Sequence, residues 1–269
     1  MTITFRPKAR IEPLYLFFSF LGGLVLLFII APLAHMILQT SFTEVTETAI
    51  EPEVRNSIWL TLWTSMAATL ILGVIAVPFA YLLARKSFPF RRLVVALVDI
   101  PIVIPHSAAG IAILGIISRN SPLGSAAERL GFHFVGGAAG IMFAMAFVSI
   151  PFLINSARDG FAAVPERLEK AALSLGASPT RVFFAVSVPL AWRAILSGFV
   201  LMWARGLSEF GAVIVVAYHP IVTPVLIYER FGAFGLQSAR PISVLFIGVC
   251  LVFFIVIRLL AREPKNAVR

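Results

Sequence analysis

Residues 165–189 read PERLEKAALSLGASPTRVFFAVSVP. This is the longest polar-bearing segment between two strongly apolar ones, and it has an internal plan. Leu168, Ala171, Ala172 and Leu175 recur at i, i+3, i+4 and i+7, which is one face of a helix. Glu166, Arg167 and Lys170 fall elsewhere on it. Gly176 stands where a left-handed C-terminal cap would end that helix. Ser178 and Pro179 supply the cap and first position of a second helix, which Pro189 is expected to limit. The expectation is a short helix, a glycine turn and another helix standing outside a hydrophobic body. Periodicity alone leaves open a helix that lies on a membrane surface and connects two spans.

The body is apolar by composition. The chain is 59% hydrophobic and 13% charged, with 24 Phe and a mean hydropathy of +0.96. The apolar residues come in long blocks, which argues an all-α integral membrane protein. The net charge of +9 does not mark a nucleic-acid binder, because Lys and Arg flank the apolar runs instead of forming one basic face. The single cysteine, Cys250, excludes an internal disulfide and a multi-cysteine metal site, and reads as a small buried hydrophobe.

Six spans are expected. The first covers 14–38; it is longer than a signal-peptide core, so an uncleaved span is read, bent at Pro32. An acidic loop, 39–56, carries Glu44, Glu47, Glu51 and Glu53. The second span, 57–84, starts with Trp59 and Trp63 near an interface. The basic loop RKSFPFRR occupies 85–92. The third span, 93–117, is interrupted by Pro101 and Pro105, which would strain or break its helix. A loop at 118–135 and spans at 136–157, 190–217 and 240–260 follow, with a loop at 218–239. Sixteen of the 22 Lys and Arg fall at the two ends, in loop 85–92 and in segment 158–193, and five in the alternate loops. Both termini and the 165–189 segment are therefore expected on the cytoplasmic side.

Ionisable groups inside spans are costly and face a pore or another helix. Arg205 and Glu209, at i and i+4, are expected to share a helix face with Ser208 nearby. They suit a polar stripe on a translocation pathway, with Arg205 offering positive potential to an anion. They equally suit a self-satisfied ion pair at a helix contact. Asp99 and His106 flank the Pro101–Pro105 segment and mark a hinge or a broken helix lining a cavity. Taken alone, His106 reads as a hydrogen-bonded packing histidine. No metal site is expected, since His35, His133 and His219 are scattered and no HExxH or cysteine cluster exists. The phosphate-binding GxxxxGK[ST] and the GxSxG elbow are absent too, so neither ATP binding nor catalysis is expected of this chain.

The run KAALSLGA at 170–177, closed by Pro189, resembles the cytoplasmic signature loop of permease subunits of ATP-binding-cassette importers. One departure stands out: Lys170 fills the slot of the motif's Glu, and the acid, Glu169, lies one place earlier. Further strings resemble the molybdate/tungstate importer permeases, with sulfate permeases as near relatives. They are AYLLARKSFPFRR (80–92), DIPIVIPHSAAGIA (99–112), GASPTRVFF (176–184), WARGLSEFGAVIVVAYHP (203–220) and IYER (227–230).

The resemblance implies a type I importer permease fold of six transmembrane helices with a cytoplasmic coupling helix. Its parts would be a cytoplasmic N-terminus at 1–13, a first span and external loop at 14–52, a transmembrane domain at 53–260 and a cytoplasmic tail at 261–269. It implies a homodimer in the cell membrane, paired with two ATPase subunits that hold the ATP and Mg. An external oxyanion-binding protein would deliver the anion. The coupling contact would use Glu166, Arg167, Glu169, Lys170, Ala171, Ala172, Gly176, Ala177 and Ser178, and the pathway Arg205, Ser208, Glu209, Asp99 and His106. The alternatives are a sulfate/thiosulfate permease, an ATP-independent anion channel or secondary transporter, and a membrane scaffold subunit without flux.

Overall fold

The computed structural model describes residues 13–260, apart from the side chains of Arg258 and Leu260. The basic residues Arg6, Lys8, Arg10, Arg262, Lys265 and Arg269, counted in the charge asymmetry, lie outside the described residues. Every regular element among the described residues is helical. Five helical stretches are long and apolar enough to cross a membrane: α1 (Pro13–Leu38), α3 (Pro52–Arg85), α7 (Ala138–Ala163), the run Pro179–Leu207, and α13 (Leu236–Leu260). A sixth crossing is broken. Helices α4 (Arg91–Val103) and α5 (His106–Ile117) meet at 112°. Pro105 forces the break by pushing Ile104 to extended backbone (φ −73°, ψ 146°). Pro101, by contrast, is accommodated inside α4.

Several expected loops are helices. Segment 39–56 contains α2 (Phe42–Ile50), started by a reciprocal capping box between Ser41 and Glu44, and the first turn of α3 with Pro52 at its start. Of its acidic residues Glu44 caps α2, and Glu51 and Glu53 pair with Arg230 at 2.9 and 2.7 Å. Segment 118–135 holds α6 (Pro122–Arg129), and 218–239 holds α12 (Thr223–Phe234).

The expected fifth span, 190–217, is corrected at both ends. The helix begins at Pro179 as α9 (Pro179–Val182), widens to one π turn over Phe183–Ser187, and continues as α10 (Val188–Leu207). Pro189 does not end it. A proline has no N–H to give and its ring crowds the carbonyl four residues back, which the widened turn accommodates. The helix stops at Leu207, and residues 211–216 form a separate short helix, α11 (Gly211–Val216).

Helices α3, α7 and α10 form the central bundle around Ala80, Leu83, Leu153, Ala157, Phe161 and Met202. A second core joins α5 and α11 to α7 through Ala109, Ile113, Ile141, Met145, Ala212 and Val213. Hydroxyls lace α3 to α12: Thr61 donates to the Thr223 hydroxyl at 3.2 Å and accepts from its backbone N–H at 2.9 Å. Helix α1 buries no residue against the rest of the chain.

Candidate functional site

At the basic end of the bundle, α7 stops at Ala163 and the chain turns into α8 (Glu166–Ser174). Its end has the expected chemistry. Gly176 sits at φ +87°, its N–H donates to Leu173 O at 3.0 Å, and Ala177 N–H donates to Ala172 O at 3.1 Å. That double bond pattern requires the left-handed residue that glycine supplies cheaply. Ser178 then caps α9 by accepting the Arg181 N–H. Outside, Glu166 pairs with Lys170 at 3.0 Å, and the hydrogen bond from that ammonium holds the Glu166 carboxyl below the usual carboxylate range.

The burial of α8 inverts the usual amphipathic plan. Leu168, Ala171 and Leu173 are exposed and Leu175 is 89% exposed, whereas the one buried residue of the helix is Glu169, at 8% exposure. Its carboxylate accepts three hydrogen bonds: from Arg85 Nε to Oε1 at 2.9 Å, from the Ser187 hydroxyl to Oε1 at 2.8 Å and from the Tyr81 hydroxyl to Oε2 at 3.2 Å. Arg85 Nη2 also lies 2.9 Å from Oε1 as an ion pair. Arg85 also donates to the Val164 carbonyl at 2.8 Å, just past the end of α7. Tyr81 is steadied edge-on by Phe161 and Phe183, with ring centroids 5.2 and 5.0 Å away. Beside this mount runs a groove of about 430 Å³ lined by Arg85, Lys86, Glu166, Lys170 and Leu173.

Toward the other end, the two helix breaks meet. Glu209 lies beyond the end of α10, not on its face as the spacing suggested, yet Arg205 still reaches it at 2.9 Å. Glu209 is 0% exposed. Its Oε1 accepts the Ala212 N–H at 2.8 Å at the start of α11, and Oε2 takes Arg205 and, at 3.0 Å, Nδ1 of His106, the first residue of α5. Arg205 Nη2 lies 2.8 and 2.9 Å from the two ring nitrogens of His106, and Nη1 donates to the Ser208 hydroxyl at 3.3 Å. The backbones fit this closely because position 211 is glycine: a Cβ there would stand 2.7 Å from His106 Cβ. Arg205 and His106 keep 21% and 37% of their side chains exposed, and Ser208 is exposed.

Four of the five expected pathway residues thus come together. Asp99 does not join them; it accepts from Asn155 of α7 at 2.6 Å. Asn155, Tyr81, Arg85 and Ser187 were missed as site residues. Asn155 was findable as an amide within an apolar run. Nothing in the sequence relates Arg85 to Glu169 across 84 positions. Among the described residues no three His, Cys, Asp or Glu are placed to hold a metal.

A six-crossing helical membrane chain with one broken span and a capped helix presented beyond its basic end has the architecture of a transport permease. The chain belongs to the family of binding-protein-dependent transport system inner membrane components, whose model matches residues 76–265. It is 43% identical over 255 residues to the molybdate/tungstate transport system permease protein of Pyrococcus abyssi, covering 94% of this chain and 97% of that one. It is 32% identical over 246 residues to a probable sulfate transport system permease protein of Chlorokybus atmophyticus, covering 90% and 86%. Its fold matches a chain of a bacterial transporter that imports the acidic polysaccharide alginate, with a TM-score of 0.72, 15% identity, and 94% and 96% coverage. The fold is that of a type I ABC importer permease.

Proposed function

We propose that this chain is the permease subunit of an ABC importer for molybdate and tungstate. It works as a homodimer, with two copies of a separate ATPase on the cytoplasmic side and an oxyanion-binding protein outside. The observation that carries the reading is the mounting of α8, which leaves Leu168, Ala171 and the adjoining Leu175 exposed while a buried carboxylate holds the helix from behind. A membrane protein that presents capped apolar helix surface outside its spans supplies a ready contact for a soluble partner. In this reading Glu166, Arg167, Lys170, Ala171, Ala172, Gly176, Ala177 and Ser178 form the contact, and Glu169 supports it. The basic end faces the cytoplasm and both termini lie there, in accord with the positive-inside bias. ATP and Mg belong to the partner; this chain holds no cofactor and makes or breaks no bond.

The pathway reading rests on Arg205, His106 and Ser208. Charged side chains left part-exposed within a span need a wet cavity or a protein partner, because lipid does not solvate them. Glu209 stands behind them and holds Arg205 and His106 toward the open side. Asp99, tied to Asn155 of α7, lies on α4, the other half of the broken span that His106 begins again. A weak positive face passes an anion without trapping it, so tight selection falls to the binding protein. ATP binding draws the two docked α8 helices together and shifts the population from inward to outward openings; hydrolysis resets it.

The substrate assignment follows the relatives. The 43% identity to a molybdate/tungstate permease outweighs the 32% to a probable sulfate permease. The test is ATP hydrolysis in liposomes holding the chain and its ATPase, with binding protein loaded with molybdate, tungstate or sulfate. Stimulation by molybdate and tungstate above sulfate is expected. Sulfate ranking first would transfer the chain to the sulfate permeases, and anion flux without ATPase would make it a channel or secondary transporter.

A further inference from the structure

Helix α8 has little apolar anchorage in its own chain: its leucines are exposed, Ala172 is only half-buried, and its single buried residue is a carboxylate. Any force applied to its outer face therefore passes to the membrane bundle chiefly through Glu169 and the short connections at its two ends. Glu169 ties together four parts of the fold. Tyr81 and Arg85 lie on the last turns of α3, Val164 follows α7, Glu169 belongs to α8, and Ser187 closes the π turn that opens α10. The π turn interrupts an otherwise regular helix, and such single turns are frequent at functional sites. The carboxylate meets it through the Ser187 hydroxyl, which also lies 3.4 Å from the Val182 carbonyl.

We propose that the Glu169–Arg85–Ser187 cluster is the transmission clamp of the importer. It is a set of positioning residues that makes α8 move as one body with the cytoplasmic ends of α3 and α10. The proposal rests on the permease reading above and adds to it the residues that carry motion from the docked helix to the spans. A buried carboxylate held by Arg85, Ser187 and Tyr81 from different elements suits the task, because three bonds from separate directions fix orientation as well as distance. Low exposure keeps water from loosening it. The inward turn of Glu169 also accounts for the displaced acid in the sequence: position 170, the outward slot, is a lysine paired with Glu166.

The test uses the full complex in proteoliposomes and reads anions transported per ATP hydrolysed, alongside the yield of assembled complex. Glu169→Gln keeps the shape and some hydrogen bonds but loses the charge; Ser187→Ala removes the hydroxyl through which the carboxylate meets the π turn. Both are expected to assemble with the ATPase. The transport-to-hydrolysis ratio is expected to fall about tenfold for Glu169→Gln and about threefold for Ser187→Ala, in the range of known coupling effects. Glu169→Asp, which keeps the charge, is expected to recover part of the ratio. A normal ratio in both variants overturns the clamp, as does a loss of transport fully explained by lower complex yield. If Glu169→Gln yields no complex, Ser187→Ala decides alone. A wild-type chain that recruits no ATPase would instead overturn the permease reading, and the clamp with it.

Discussion

Among the described residues two carboxylates are buried, each against an arginine, and they do different work. Glu169 is met by groups from α3 and the π turn, and it holds a helix whose outer surface is bare. Glu209 is met by Arg205, His106 and the start of α11, and it holds together two broken helices inside the bundle. The first joins a surface element to the spans and stands beside a solvent-facing groove. The second leaves its partners, Arg205 and His106, part-exposed at membrane depth, where only a cavity or another subunit can solvate them. The same ion-pair chemistry serves as a mount at one end and, in the proposed permease, as a lining at the other, and the side left open tells them apart.

The largest effect is expected at the lining. Glu209→Leu strands Arg205, His106 and the Ala212 N–H, and removing one partner of a buried pair costs about 3–5 kcal/mol. Thermal unfolding of the detergent-solubilised chain should show that loss. Combining it with Arg205→Met removes the stranded charge and should restore much of the stability. If transport stays absent in the restored double variant, the charges serve the pathway. If transport returns, the cluster is structural only and the contrast with the mount collapses.

A smaller effect is expected at the end of α8. Gly176→Val places a β-branched residue at φ +87°, at a cost of about 1–2 kcal/mol. Nothing stands near an added Cβ there, so the cost is in backbone conformation, not packing. The strain falls on the exposed turn, so the bundle should melt normally while ATPase co-purification drops. Wild-type association in that variant would show that the α8–α9 turn does not shape the contact.

The legible features were those governed by neighbours in sequence. The Gly176 cap, the Ser178 cap, the break at Pro105 and the apolar spans are all dictated within a few residues. The helix at 42–50 was missed because four glutamates read as a solvated loop, although Ser41 and Glu44 stand at capping-box spacing. Glu209 was placed on a continuous helix because apolar residues lie on both sides of Arg205–Glu209; at the break its own carboxylate accepts the Ala212 N–H. The apolar stripe of α8 was read correctly as a face, but periodicity does not say whether a face turns inward. The mount itself was illegible, since Tyr81, Arg85, Glu169 and Ser187 are joined only by the packing of α3, α7 and α10.

The central claim is that the exposed face of α8 is covered by the ATPase. Leu175→Cys, in a chain whose Cys250 is replaced by Ala, tests it by the rate of maleimide labelling in nanodiscs with and without the ATPase subunit. The account predicts rapid labelling of the chain alone and at least about tenfold protection in the complex, the slowing expected of a contact occupied nine-tenths of the time or more. Equal labelling in both, with the ATPase demonstrably bound, would contradict it.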